Sequence, residues 1–150
     1  MISNKTIQEL LEVLKRIQYD KEYFEFPEKG EHKMLEAYSL DGKIKFLIDI
    51  VPSGNKRRKN KIKYQERFNK DVILVRLDLN GPPHTNPDGT IVSGNHLHIV
   101  QDEYDDRFAI EIPEGLIDET DRIQTLINFL KYCNVENPVF ANFERRLLYE

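Results

Sequence analysis

The chain has a single cysteine, Cys133, and no tryptophan among its 150 residues. One cysteine cannot close an intramolecular disulfide, so the fold has to be held by its own core, in keeping with a reducing compartment. Cys133 sits near the end of an apolar helical pattern and reads as a small buried hydrophobe rather than a reactive thiol. Long apolar runs are missing too: none approaches the roughly twenty residues needed to span a bilayer. The opening MISNKTIQELLEVL lacks the apolar core and cleavage site of a signal peptide. These absences give the expectation of a cytoplasmic protein with no membrane contact. There is no Walker loop, dinucleotide glycine pattern, Gly-x-Ser-x-Gly elbow or Cys-x-x-Cys pair. Without a matched nucleophile and base, an enzymatic reading would have only a metal to rest on.

Hydrophobic residues at 39% and charged residues at 32% describe a globular chain with a strongly charged surface, and the length suits one α+β domain over residues 1–150. The net charge of −4 conceals an asymmetry. Residues 56–67 hold seven basic side chains and one acid, a local +6, so the remainder carries −10. Lys56, Arg57, Arg58, Lys59, Lys61 and Lys63 form a ridge that could contact nucleic acid, or could be simply a solvated edge. Acid gathers at Asp102, Glu103, Asp105 and Asp106 and at Asp118, Glu119 and Asp121, a surface suited to a basic nucleic-acid-binding protein.

Apolar spacing at Ile7, Leu10, Leu11, Leu14 and Ile17 predicts a first helix over residues 3–18; Thr6 with Glu9 has capping-box spacing, with Ser3 or Asn4 as alternative caps. Two apolar runs, 33–40 and 43–51, flank Asp41-Gly42, the signature of a two-residue hairpin turn with both positions at positive φ. That register places Leu35, Ala37 and Ser39 across from Ile48, Phe46 and Ile44. Strand character returns at Ile62, Tyr64 and Phe68. It is strongest over residues 72–80, where Ile73, Val75, Leu77 and Leu79 share one face and Arg76, Asp78 and Asn80 the other. Strands are also expected over 96–101 and 107–112, the latter with Phe108, Ile110 and Ile112 on one face. A helix capped by Thr120 or Asp121 and another starting at Asn137-Pro138 finish the chain. The whole reads as α+β: a mainly antiparallel sheet of about six strands, one N-terminal helix and two C-terminal helices.

Residues 81–98, GPPHTNPDGTIVSGNHLH, draw the chemistry together. They hold three of the four histidines, three of the seven glycines and three of the seven prolines. His96 and His98 are two apart on a strand and share a face. A folded-back loop would add His84, giving three imidazoles for a metal, zinc foremost. Asp78, Asp88, Asp102 and Glu103 are acidic candidates for a fourth ligand, Asp78 being favoured by its place on the polar face of the preceding strand. The bland alternative is a wet sheet face beside an Asn86-to-Gly89 turn. His32 stands alone before a strand and reads as exposed or hydrogen-bonded.

His96-x-His98 followed by Glu103 partly resembles the first cupin metal motif, but no later histidine completes it. The run from Leu77 through Asn80-Gly81-Pro82-Pro83-His84, then Asn86-Pro87-Asp88-Gly89 and His96-Leu97-His98, resembles the signature of an uncharacterised family of small bacterial and phage proteins carried on mobile elements. The chain is also similar to small metal-containing anti-CRISPR proteins. That resemblance implies a non-enzymatic inhibitor, at work in the cytoplasm of a bacterial host, that binds a type II CRISPR RNA-guided nuclease. The competing expectations are a metal-dependent nuclease or phosphodiester hydrolase using the same histidines, and an antitoxin-like regulator needing no metal.

Overall fold

A computed structural model describes residues 3–19, 24–136 and 138. Helix α1 (Asn4–Glu12) is followed by strands β1 (Lys15–Gln18), β2 (Lys33–Ser39), β3 (Lys45–Pro52), β4 (Ile62–Phe68) and β5 (Val72–Leu79). A short hairpin, β6 (His84–Thr85) and β7 (Ile91–Val92), precedes β8 (His96–Ile99), β9 (Ala109–Glu111) and helix α2 (Arg122–Tyr132). The main sheet has seven strands in the order β1-β2-β3-β4-β5-β8-β9, and every neighbouring pair is antiparallel. The α+β expectation therefore holds, with one more strand than the sequence indicated. The second C-terminal helix lies outside the described residues. Among the described residues no helix is long and apolar enough to cross a membrane.

One face of the sheet carries the core, with Phe46, Ile48, Ile50, Tyr64 and Leu77 fully buried. Helix α2, capped by Asp121, whose carboxylate accepts from the N–H groups of Ile123 and Gln124, packs over it. The Tyr64 ring meets Phe129 at 6.1 Å and its hydroxyl donates to the Arg122 carbonyl. The register Leu35 to Ile48 and Ala37 to Phe46 is the one expected. Its turn is longer: Ser39 closes on Ile44, Gly42 N–H donates to the Ser39 carbonyl, and Gly42 alone takes positive φ. Four residues in the loop let Asp41 keep an ordinary conformation and use its carboxylate to accept from Ser39 and Lys43.

Two further expectations fail for physical reasons. Helix α1 stops at Glu12, and residues 15–18 form a strand in which Lys15 and Ile17 are buried and Leu14 is exposed. The free edge of β2 on one side, and the Asn134 carbonyl and Glu136 N–H on the other, offer this segment backbone partners that outweigh helical periodicity. In β9 the buried residue is Ala109, and Ile110 is 41% exposed, because the hairpin of β6 and β7 covers the other face. A bulge at Glu66/Arg67 also brings Leu74 into the core beside Val75.

The opposite face carries buried polar groups. Asp49 accepts from Gln65, from both Nε and Nη2 of Arg67, and pairs with His32 at 2.7 Å. Burial pushes this carboxyl upward, but those partners outweigh it and hold its pKa below the ordinary 3.8. A depressed folded pKa gives stability that is complete above the unfolded value and lost as pH falls through the folded one. Asp49→Asn should cost about 3 kcal/mol near neutrality. In urea titrations its deficit should shrink in the acid range below that ordinary value.

Candidate metal centre

The segment between β5 and β8 is a structured flap rather than an open loop. Its neck is closed by Gly81 N–H donating to the Gly94 carbonyl and by Asn80 N–H donating to Asn95 Oδ1. A Cβ on Gly94 would overlap the Gly81 carbonyl oxygen, so this close approach requires glycine. Gly94→Ala should cost about 1–3 kcal/mol by forcing the neck apart, read as a lower urea midpoint. Beyond the neck, β6 pairs with β7 around a turn in which Gly89 N–H donates to the Asn86 carbonyl. The expected Asn86-to-Gly89 turn is thus present, but it is the tip of a hairpin.

Asn86 fixes that hairpin over the sheet. Its side-chain amide donates to the Ala109 carbonyl at 2.8 Å while its Oδ1 accepts from Ala109 N–H at 2.7 Å, both buried. The amide thereby acts as an extra strand residue on the free edge of β9. It brings His84 to His96 and His98, with ring centroids 5.4 and 4.7 Å away. His96 and His98 are 4% and 1% exposed. In the β5–β8 pairing His96 stands opposite Asp78 and His98 opposite Arg76.

Each imidazole is anchored through one nitrogen. His84 Nε2 faces the Arg107 carbonyl, His96 Nδ1 the Ser93 carbonyl and His98 Nδ1 the Asp106 carbonyl, all at 2.7 Å. A carbonyl only accepts, so each of those nitrogens carries the hydrogen, and in the neutral ring the other nitrogen holds a lone pair. Ligand atoms of the three rings lie within 4.8 Å of one another. Asp78 Oδ2 stands 3.2 Å from His96 Nε2 and 3.3 Å from His98 Nε2. Bonds of about 2.0–2.1 Å to tetrahedral zinc separate neighbouring ligand atoms by about 3.3 Å, so the Asp78 contacts already have the length of a coordination edge. Closing the widest approach onto one ion asks for a shift of about 1.5 Å.

Burial, opposed by the Ser93 carbonyl and the Asp78 charge, lowers the His96 pKa and so favours the neutral ring that a ligand must present. Burial would raise Asp78, but the His98 ring, when it carries hydrogen on both nitrogens, and the Arg76 guanidinium more than offset it, leaving the carboxyl below its ordinary value. Arg76 supplies the positive charge here, reaching Asp78, the Asp106 carboxylate and His98 Nε2 at 3.2, 2.8 and 2.9 Å.

A family model described as a family of unknown function (DUF6978) matches residues 2–135. The chain belongs to that family. No curated protein and no solved structure matches it. In this DUF6978 chain, His84, His96 and His98 are brought together, and Asp78 lies beside His96 and His98. The other acidic candidates do not: Asp88 is bonded to Thr90 in the hairpin tip, and Asp102 and Glu103 do not join the cluster. Sequence reasoning missed Arg76 and Asp106 as partners, and it missed the anchoring carbonyls of Ser93, Asp106 and Arg107. Any residue type supplies a carbonyl, so no sequence signal could have marked those three. His32 is hydrogen-bonded to Asp49, as expected.

Proposed function

We propose that this DUF6978 chain holds one zinc ion through His84, His96, His98 and Asp78, and that the ion is structural, tying the β6–β7 flap to the β5–β8 surface. The observation that carries this reading is the set of three carbonyl-anchored imidazoles whose ligand atoms lie within 4.8 Å of one another, with Asp78 beside two of them; the Arg76 N–H that now reaches His98 Nε2 would give way to the ion. Backbone carbonyls of this kind fix the tautomer and orientation of metal-ligating histidines. Four protein ligands complete a tetrahedron and leave no open position for a water nucleophile, which favours a binding protein over a hydrolase.

The partner we propose is a type II CRISPR RNA-guided nuclease, bound in a cationic channel that an acidic body can occupy. Its support is the −10 charge outside residues 56–67, together with the resemblance of the Gly81-to-His98 signature to phage and mobile-element proteins. Exposed Glu103 and Asp105 lie close in sequence to Asp106, whose carbonyl anchors His98, so the ion would help order that acidic turn.

Zinc-loaded protein should co-elute with a guide-loaded type II nuclease and suppress its DNA cleavage, and His84→Ala should weaken both effects. Absence of co-elution at low salt would overturn the partner. Hydrolysis of a generic phosphodiester by the zinc-loaded protein, lost in His98→Ala, would replace the inhibitor with an enzyme.

A further inference from the structure

On the helix-covered side of the sheet, where β3 and β5 end and β4 and β8 begin, the fold leaves a cleft of about 490 Å³. Its floor is Ile62, Tyr64 and Leu79, all buried, and Ile117 lines it beside them. Lys29, Lys59, Lys61 and Arg122 supply positive charge around it. Among the described residues none of these four has a carboxylate partner, whereas Lys15, Lys45, Arg67 and Arg76 do. Two acids share the wall. Asp118 is engaged by the N–H and hydroxyl of Thr120, and Glu119 is exposed. The balance is a surplus of unneutralised cations, raised further by Lys56, Arg57 and Arg58 just outside.

We infer that this cleft binds a nucleotide, either free or at the end of a single strand. Phosphate oxygens would take Lys29, Lys59 and Lys61, and the base would lie along the apolar floor. Charge alone would serve any polyanion, but two other features point to a base. The volume falls within the range of about 300–1,000 Å³ usual for small-molecule sites, and an apolar floor is walled by charged and amide side chains, as a base carrying phosphate would need. Three asparagines also reach the cleft. Asn80 Nδ2 donates to the Asn60 carbonyl and Asn95 Oδ1 accepts from Asn80 N–H. Asn80 Oδ1, Asn95 Nδ2 and the Asn60 amide are left for the donor and acceptor edges of a base. Arg122, 4.5 Å over the Phe26 ring, is held at the rim by its cation–π contact. No residue of the metal centre lines this cleft, so the inference stands or falls separately from zinc binding.

The test uses the whole protein with two probes: AMP, and a fluorescein-labelled oligodeoxyadenylate of about ten nucleotides. Anisotropy and calorimetry should give saturable binding. Lys29→Glu/Lys61→Glu should weaken it by about tenfold or more, while Lys56→Glu/Arg57→Glu, the same charge change outside the cleft, should weaken it less than about threefold. These side chains are at least partly exposed, so the variants should keep the wild-type circular dichroism and melting curve. Cleft-dependent binding of AMP identifies a free nucleotide as sufficient, and cleft-dependent binding of the oligomer alone identifies a strand end. Three results would overturn the inference: no saturable binding of either probe, equal losses in the two double variants, or competition by pyrophosphate as strong as that by AMP.

Discussion

Metal-stripped protein is expected to gain roughly 8–16 °C in melting temperature when zinc is present at about a thousand times its dissociation constant. Binding to the folded state alone contributes about 4 kcal/mol at that ratio, and a chain of this size shifts by about 2–4 °C per kcal/mol. The His96→Ala/His98→Ala variant should show no such shift and should retain no zinc by elemental mass spectrometry. Alanine at two buried positions leaves cavities and lowers stability by itself. The informative quantity is therefore the difference between loaded and stripped forms of each protein, from which the cavity cost cancels. An equal shift in the variant and the wild type would place the metal elsewhere. Asp78→Asn keeps the shape of the side chain but removes its charge, and should retain part of the shift. His84→Ala should remove the ion's hold on the flap, visible as faster hydrogen exchange at Ala109, whose N–H is held by Asn86.

The second large effect belongs to an ion pair inside the core. Lys15 Nζ lies 3.0 Å from Glu66 Oε2 with both side chains fully buried, donates to the Cys133 carbonyl, and sits 4.7 Å from the Phe46 ring centre. Burial raises the Glu66 pKa to about 7 despite the opposing charge of Lys15, and it raises the Cys133 thiol as well. Lys15→Met should destabilise the protein by about 3–5 kcal/mol, since it leaves a carboxyl buried without its counter-ion. Lys15→Met/Glu66→Leu should recover most of that loss, because apolar replacements of similar volume remove both desolvation penalties. A double variant as unstable as the single one would show that the site depends on its charges.

The pH dependence has a definite sign. Between the ordinary carboxyl value of 4.5 and about 7, folded Glu66 holds a proton that the unfolded chain has released. The Glu66 contribution to stability should therefore fall as pH rises through that window, opposite in sign to that of His96, and Glu66→Gln should make the slope in urea titrations more positive than in the wild type. Without Lys15 the carboxyl stays protonated to higher pH, so the Lys15→Met deficit should be larger at pH 8 than at pH 5.

The parts of the fold visible in the sequence were those in which local pattern and tertiary environment agree. Alternation in β2 and β3 fixed their register, and the Thr120-Asp121 pair marked the start of α2, with Asp121 the cap. The two-residue spacing of His96 and His98, with Asp78 on the polar face of β5, marked the heart of the histidine cluster. What escaped was set by distant partners. Lys15 reads as a solvated helix residue until Glu66, fifty-one positions away, is placed beside it. Ala109 is chosen over Ile110 for burial because Asn86 binds the β9 backbone from the hairpin. Arg76 looked like an ordinary polar-face residue, and its link to the histidines depends on the β5–β8 pairing.

The closed neck of the flap also says where this chain can accept new sequence. Because Gly81 and Gly94 already touch, the separation of the flap's ends does not depend on how many residues lie between them. Length added at the exposed Asp88-Gly89 tip would leave the neck and the three histidines in place, and each doubling of a flexible loop costs only about 0.6 kcal/mol. The tip is thus a natural point for splicing in a peptide tag or fluorescent reporter, while a single added methyl at Gly94 would be more disruptive than a long insertion a few residues earlier.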